Sequence, residues 1–316
     1  MMKVHPSWFI FLMLILTGVM MLMSTDNWLM AWMGFELSLL GFLPMFTMNS
    51  YLIEGMVKYF LVQAGGSSLF LLSFLLNSST MSNLIMVMSM VLKLGMFPFF
   101  QWVPLVMASL SWEGCAMLAT LQKMGPLFML ANSNLNSGLS LALITLSVAS
   151  VLISGILGFN QSFLRSLMGY SSISHTGWLV TASVMSLKMC ILYMMIYFYL
   201  TMALFLSFKQ MNLSKVINPN LPDKNSLVSN LIMLTLVGMP PFSMFVLKAL
   251  ILASLTNTLL LAYSLVLGAC LSAFYYMSFI IPSLTSYWGK SISTNVGLTS
   301  TSTLVTLIVP AFMVLY

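Results

Sequence analysis

Runs of about twenty apolar residues, long enough to cross a bilayer as a helix, follow one another along almost the whole chain. The turns between them are as short as NSST at 77–80 and NSNLNS at 132–137. Inside lipid, every backbone N–H and C=O of such a run must find its partner within the run, and the helix is the local structure that achieves this. Composition agrees: 60% of the 316 residues are hydrophobic, 5% are charged and the mean hydropathy is +1.03, which leaves too little polar surface for a water-soluble domain. The chain reads as an all-α polytopic membrane protein.

About eleven transmembrane helices are expected, over approximately 7–24, 28–48, 53–76, 83–109, 112–131, 138–158, 165–185, 188–208, 226–254, 258–281 and 298–316. Two of them should be discontinuous, around Pro98 and around Pro240 and Pro241, because proline removes a backbone donor and frees the carbonyl one turn earlier. Residues 1–316 read as a single transmembrane domain whose two helical halves are joined by the link at 209–225, KQMNLSKVINPNLPDKN. The opening MMKVHPSWFIFLMLILTG has a basic tip before an apolar run but no small-residue cleavage site, so a first span is expected there rather than a signal peptide.

The basic residues orient this arrangement. With alternating spans, one face receives Lys3, Lys58, Arg165, Lys209, Lys215, Lys224 and Lys290, and the opposite face receives Lys188. That bias puts the N-terminus on the cytoplasm-like side and Tyr316 on the far side. The same eleven Lys and Arg are scattered singly, without a basic cluster or an RNA-binding motif, so no nucleic-acid partner is expected. Cys115, Cys190 and Cys270 have no CxxC or Cys/His spacing, and GxGxxG and P-loop motifs are absent, so neither a metal nor a cofactor is expected.

Four charges remain well inside the spans: Glu36, Lys93, Lys123 and Lys248. A charge at mid-membrane costs roughly 2.5–3.5 kcal/mol, so each needs a partner or a function. Glu36, in WMGFELSLLGF, is the acidic residue at depth and is expected to pair with a lysine across a helix interface. Lys93 lies five residues before Pro98, and Lys248 follows the GMPP of 238–241, an arrangement in which unwound carbonyls and helix ends bind ions or water. Lys123 precedes a Gly-Pro pair in the next span after Lys93, and the two are expected to face each other across one interface. Burial and a second cation disfavour an ammonium while a carboxylate favours it, so lysines set among such neighbours exchange protons when a neighbour moves. His175, in YSSISHTGW, shares a helix face with Ser171, Ser174 and Trp178, a stripe suited equally to proton transfer and to helix packing. Lys58 is close enough to its helix start to reach the interface, which favours a structural role slightly.

The stretches WMGFELSLLGFLP, VKYFLVQAGGSS, LKLGMFPFFQWVP, LATLQKMGPL, GFNQSFLRSLMGYSSISHTGW and VGMPPFSMFVLK, in that order from about residue 28 to 250, resemble the antiporter-like proton-pumping subunits of respiratory complex I in their short animal form. The resemblance implies a proton-translocating membrane-arm subunit of NADH:ubiquinone oxidoreductase in the mitochondrial inner membrane, with the positive face toward the matrix. It implies that Glu36, Lys93, Lys123 and Lys248 handle protons through a chain of polar residues and water, with Glu36 pairing toward Lys93. Redox chemistry would belong to partner subunits, with no cofactor or quinone site in this chain. Phe100 stands where many relatives have a histidine, so no role is carried to that position. The residues alone leave two other readings open, a stand-alone cation/proton antiporter and a scaffold that fills space in a membrane complex.

Overall fold

The computed structural model describes residues 6–24, 27–44, 46, 53–76, 79–133, 135–211, 224–255 and 258–288. Among them the chain is helical throughout, without a β-strand. In chain order the helices are α1 Pro6–Ser24, α2 Trp28–Phe42, α3 Ile53–Leu75, α4 Ser79–Leu94, α5 Trp102–Ser109, α6 Trp112–Ala119 and α7 Leu121–Asn132. They continue as α8 Ser137–Phe159, α9 Leu164–Met185, α10 Leu187–Met211, α11 Lys224–Val237, α12 Ser243–Ser254 and α13 Leu259–Trp288. Helices α3, α8 and α10, and Leu259–Leu284 of α13, are each long and apolar enough to cross a membrane. The expected span at 298–316 and most of the link at 209–225 lie outside the described residues.

Helix α9 is the axle of the bundle. It packs against α5, α6, α7, α8, α10, α12 and α13 and is buried along nearly its whole length, although it carries Ser171, Ser172, Ser174, His175, Thr176, Thr181 and Ser183. Burial of so many hydroxyls is tolerated because each bonds within the helix: those of Ser171, Ser172, Ser174, Thr176, Thr181 and Ser183 donate to the carbonyl three residues earlier at 2.7–2.8 Å. Its hydroxyl residues therefore cost little desolvation, and the histidine is left as the side chain that must find a partner elsewhere.

Two breaks share one construction. Helix α4 stops at Leu94, and Gly95 takes φ +66; helix α11 stops at Val237, and Gly238 takes φ +87. A left-handed residue just past the helix end is favourable only for glycine. At the first break Gly95 N–H donates to the Leu92 carbonyl and Met96 N–H to the Val91 carbonyl, the paired bonds of a Schellman ending. At the second, Gly238 N–H donates to the Thr235 carbonyl. The prolines follow, Pro98 after a cis peptide and Pro240–Pro241 before α12, so neither helix continues. A further interruption appears where one helix was expected over 112–131: Thr120, at φ −116 and ψ −81, separates α6 from α7. Its hydroxyl donates to the Ala116 carbonyl at 2.7 Å, and Lys123 follows in the first turn of α7.

Candidate functional site

All three internal lysines end inside the bundle. Lys93, Lys123 and Lys248 are 5%, 4% and 7% exposed, so none extends to an interface. Burying an ammonium demands polar or aromatic neighbours, and the three find different ones.

Lys93, in the last turn of α4, points to α2 and α3. Its ammonium lies 4.1 Å from the centre of the Phe35 ring, a cation–π contact. Gly66 of α3 makes this possible: a Cβ there would stand 2.6 Å from Lys93 Cγ. The Lys93 carbonyl, freed by the helix end, accepts from Gln63 Nε2 at 3.2 Å, and Trp102 Nε1 donates to the Leu92 carbonyl at 3.3 Å. Glu36, next to Phe35 on α2, acts on the Lys93 charge through space. Among the described residues, the direct ion pair expected for Glu36 does not form. Its carboxylate accepts instead from Ser67 Oγ at 2.5 Å, because the Phe35 face takes the ammonium and the Ser67 hydroxyl is nearer.

Lys123 does not face Lys93. From α7 its ammonium turns to α9 and α10, donating to the Ser172 carbonyl at 2.8 Å and lying 5.7 Å from the Tyr197 ring centre. The neighbouring Gln122 looks the other way, donating to the Ser38 carbonyl of α2 at 3.3 Å. Successive helical residues are about 100° apart, so α7 presents one polar side chain to each half of the site.

Lys248 caps the broken helix before it. Its ammonium donates to the carbonyls of Val237 at 2.9 Å and Leu236 at 3.3 Å, which the end of α11 leaves without helical partners, and it lies 5.7 Å from the Trp178 ring centre.

His175 stands between the last two lysines, both of whose charges reach it. Ser172, His175 and Trp178 follow one another at i, i+3, i+6 on α9, so the Lys123 and Lys248 contacts are separated by roughly 9 Å along the axis with the imidazole midway. His175 Nδ1 shares a hydrogen bond of 3.0 Å with the Tyr193 hydroxyl, and its ring lies against Tyr197 with centroids 4.9 Å apart. Tyr275 and Tyr276 of α13 close the other side, toward Ser174 and Ser171. Their hydroxyls are buried and complete no hydrogen bond of good geometry among the described residues.

Lys58 is apart from this assembly. It pairs with Glu54 at 2.5 Å, one turn away on the exposed side of α3. Lys209, counted with the loops, is in the last turn of α10 and forms an ion pair with Glu113 in the first turn of α6, where both helix dipoles favour it. Sequence reasoning passed over Gln63, Gly66 and Ser67, although QAGGSS is a polar interruption in an apolar helix. It also passed over Tyr193 and Tyr197, whose i, i+4 spacing in LYMMIYFYL is hidden by the hydrophobic run around them.

The family model described as NADH:quinone oxidoreductase/Mrp antiporter, TM, matches residues 76–274, which contain Lys93, Lys123, His175 and Lys248. The NADH-ubiquinone oxidoreductase chain 2 of Lumbricus terrestris is 35% identical over 288 residues, covering 85% of this chain and 84% of that one. Its namesake from Xenopus laevis is 36% identical over 277 residues, covering 80% and 79%. A chain of respiratory complex I from Thermus thermophilus, solved with bound aureothin, superposes with a TM-score of 0.78 at 18% identity over 99% of this chain and 78% of that one, a likeness of fold. With a buried lysine at each of two helix breaks, a third between them and these relatives over most of its length, the chain belongs to the NADH:quinone oxidoreductase/Mrp antiporter membrane family, among the relatives named NADH-ubiquinone oxidoreductase chain 2.

Proposed function

We infer that the chain is a proton-translocating membrane-arm subunit of respiratory complex I, working alongside other membrane-arm subunits while electrons pass from NADH to ubiquinone elsewhere in the assembly. One observation carries the reading. Along α9, the Lys123 contact at the Ser172 carbonyl, the imidazole of His175 and the Lys248 contact at the Trp178 ring follow one another three residues apart.

In this account each lysine alternates between ammonium and amine. Lys93 trades its proton under the influence of Glu36, whose position Ser67 holds. Lys123 passes protons toward His175, and Lys248 exchanges them beside the opened end of α11. Water supplies the links between these groups, and each change of charge alters the proton affinity of the next buried site. The chain crosses the mitochondrial inner membrane eleven times as one domain, with α4–α5 and α11–α12 each forming a discontinuous span. Its N-terminus lies on the matrix side and its C-terminus in the intermembrane space. Lipid surrounds the apolar faces, and the subunit carries no redox cofactor.

The test is Lys123→Met in the assembled complex, read as protons translocated per NADH oxidised. The ratio falls if protons pass through Lys123; an unchanged ratio with full assembly rules the relay out and favours a scaffold. Ion transport by the purified chain alone in proteoliposomes would favour the stand-alone antiporter.

A further inference from the structure

We propose that Tyr193 is a positioning residue of the relay: its hydroxyl holds Nδ1 of His175 in either tautomer and so leaves Nε2 as the nitrogen that exchanges protons between Lys123 and Lys248. The inference rests on the relay reading above and adds to it the group that controls its central member.

His175 is 2% exposed, and a buried imidazole with an unbonded nitrogen has no fixed tautomer or ring orientation. The Tyr193 hydroxyl, 3.0 Å from Nδ1, removes that freedom. A phenol both donates and accepts, so one group suits both neutral forms. When the proton is on Nε2, the hydroxyl donates to Nδ1; when it is on Nδ1, the ring donates to the phenol oxygen. In the second form Nε2 takes a proton from one neighbour, giving the imidazolium, and passes it to the other, restoring the same neutral ring, while Nδ1 keeps its proton and the phenol its O–H. Proton number is conserved, since Nε2 releases only a proton that it has first taken up, and none is drawn from Nδ1 or from the phenol.

The surroundings fix this pair in place. Tyr193 and Tyr197 are one turn apart on α10, so the first bonds the edge of the imidazole while the second covers its face at 4.9 Å between centroids. The groups that face His175 are Lys123 from α7, Lys248 from α12 and Tyr193 and Tyr197 from α10, with Tyr275 and Tyr276 of α13 next to the tyrosines. Tyr193 is the one among these whose hydrogen bond to the imidazole is formed.

The experiment compares Tyr193→Phe with Lys123→Met and with Tyr59→Phe, on α3 away from His175, in membranes containing the assembled complex, reading protons per NADH, the rate of pumping per assembled complex and its pH profile. Each tyrosine variant keeps the ring and removes one buried hydroxyl. Tyr193→Phe is expected to slow pumping by roughly tenfold, the rate equivalent of one lost hydrogen bond to a reacting group, and to shift the pH profile. Tyr59→Phe should leave the profile in place. Equal behaviour of the two, or a wild-type profile in Tyr193→Phe, overturns the proposal. Normal pumping by Lys123→Met overturns the relay and this inference with it, whereas loss of pumping there beside a wild-type Tyr193→Phe overturns the tyrosine's role alone. If Tyr193→Phe fails to assemble, Tyr193→Gln keeps a donor and an acceptor at the position; it is expected to retain pumping, and its loss of pumping in assembled complex contradicts the proposal.

Discussion

Lys93 and Lys248 adjoin breaks of the same design, each opened by a glycine at positive φ and followed by proline, yet their ammonium groups do different things. At the second break the lysine is itself the cap, bonded to two carbonyls of the helix that ends there. At the first, the backbone caps itself through a Schellman ending, and Gln63 and Trp102 serve the carbonyls of Lys93 and Leu92. The Lys93 ammonium is thereby released from structural duty. It rests on the Phe35 ring, and no hydrogen-bond partner for it is found among the described residues. One lysine is clamped to the backbone while the other is available to respond to a neighbouring carboxylate. Under the proposed relay, a proton carrier that also holds a helix end must disturb that end when it discharges, which would couple protonation to movement at Lys248 more tightly than at Lys93.

The largest expected effects break this contrast directly. Lys248→Met leaves the Leu236 and Val237 carbonyls without their partner and should destabilise the assembled subunit by roughly 2–4 kcal/mol besides stopping proton transfer. Lys93→Met should stop transfer with little loss of stability, since the methionine stem still packs under Phe35. Thermal midpoints of the complex, taken with proton pumping, separate the two; equal destabilisation by both would erase the distinction. Gly66→Ala acts on the Lys93 side alone. Its Cβ would come within 2.6 Å of Lys93 Cγ, displace the ammonium and slow coupled pumping by roughly ten- to hundredfold with assembly retained. Ser67→Ala removes the hydroxyl on Glu36 and should slow pumping by roughly three- to tenfold. Glu54→Gln, in an exposed pair with Lys58, should change neither assembly nor pumping, which makes it the control for loss of an acidic group on α3.

Hydrophobic run lengths made the helical class readable, because lipid leaves the backbone few other ways to pair its groups. Pro98 and Gly238–Pro241 stood out for the same reason: a break in an apolar run is costly and therefore conspicuous. The internal charges were equally visible, and all four residues are found where side chains from several helices converge. Directions were not readable. Whether Lys123 turns to Lys93 or to α9 depends on the kink at Thr120, a residue whose hydroxyl suits a straight helix and a bent one alike. Nor does the sequence say that Glu36 bonds Ser67, since that depends on which of two neighbours arrives nearer after packing. The tyrosines around His175 were the least legible, because a phenol in an apolar run looks like core until its hydroxyl is seen to have a partner.

The central claim is that buried, bonded groups connect Lys123 to Lys248 through His175, while Lys93 keeps an ammonium free to exchange. A density map of the assembled complex, fine enough to resolve ordered water, tests it most directly. The account predicts water within hydrogen-bonding distance of Lys93 Nζ and of His175 Nε2, with Lys248 Nζ still on the carbonyls of Leu236 and Val237. A dry wall of side chains around Nε2, wider than a pair of hydrogen-bonded waters can bridge, would contradict it.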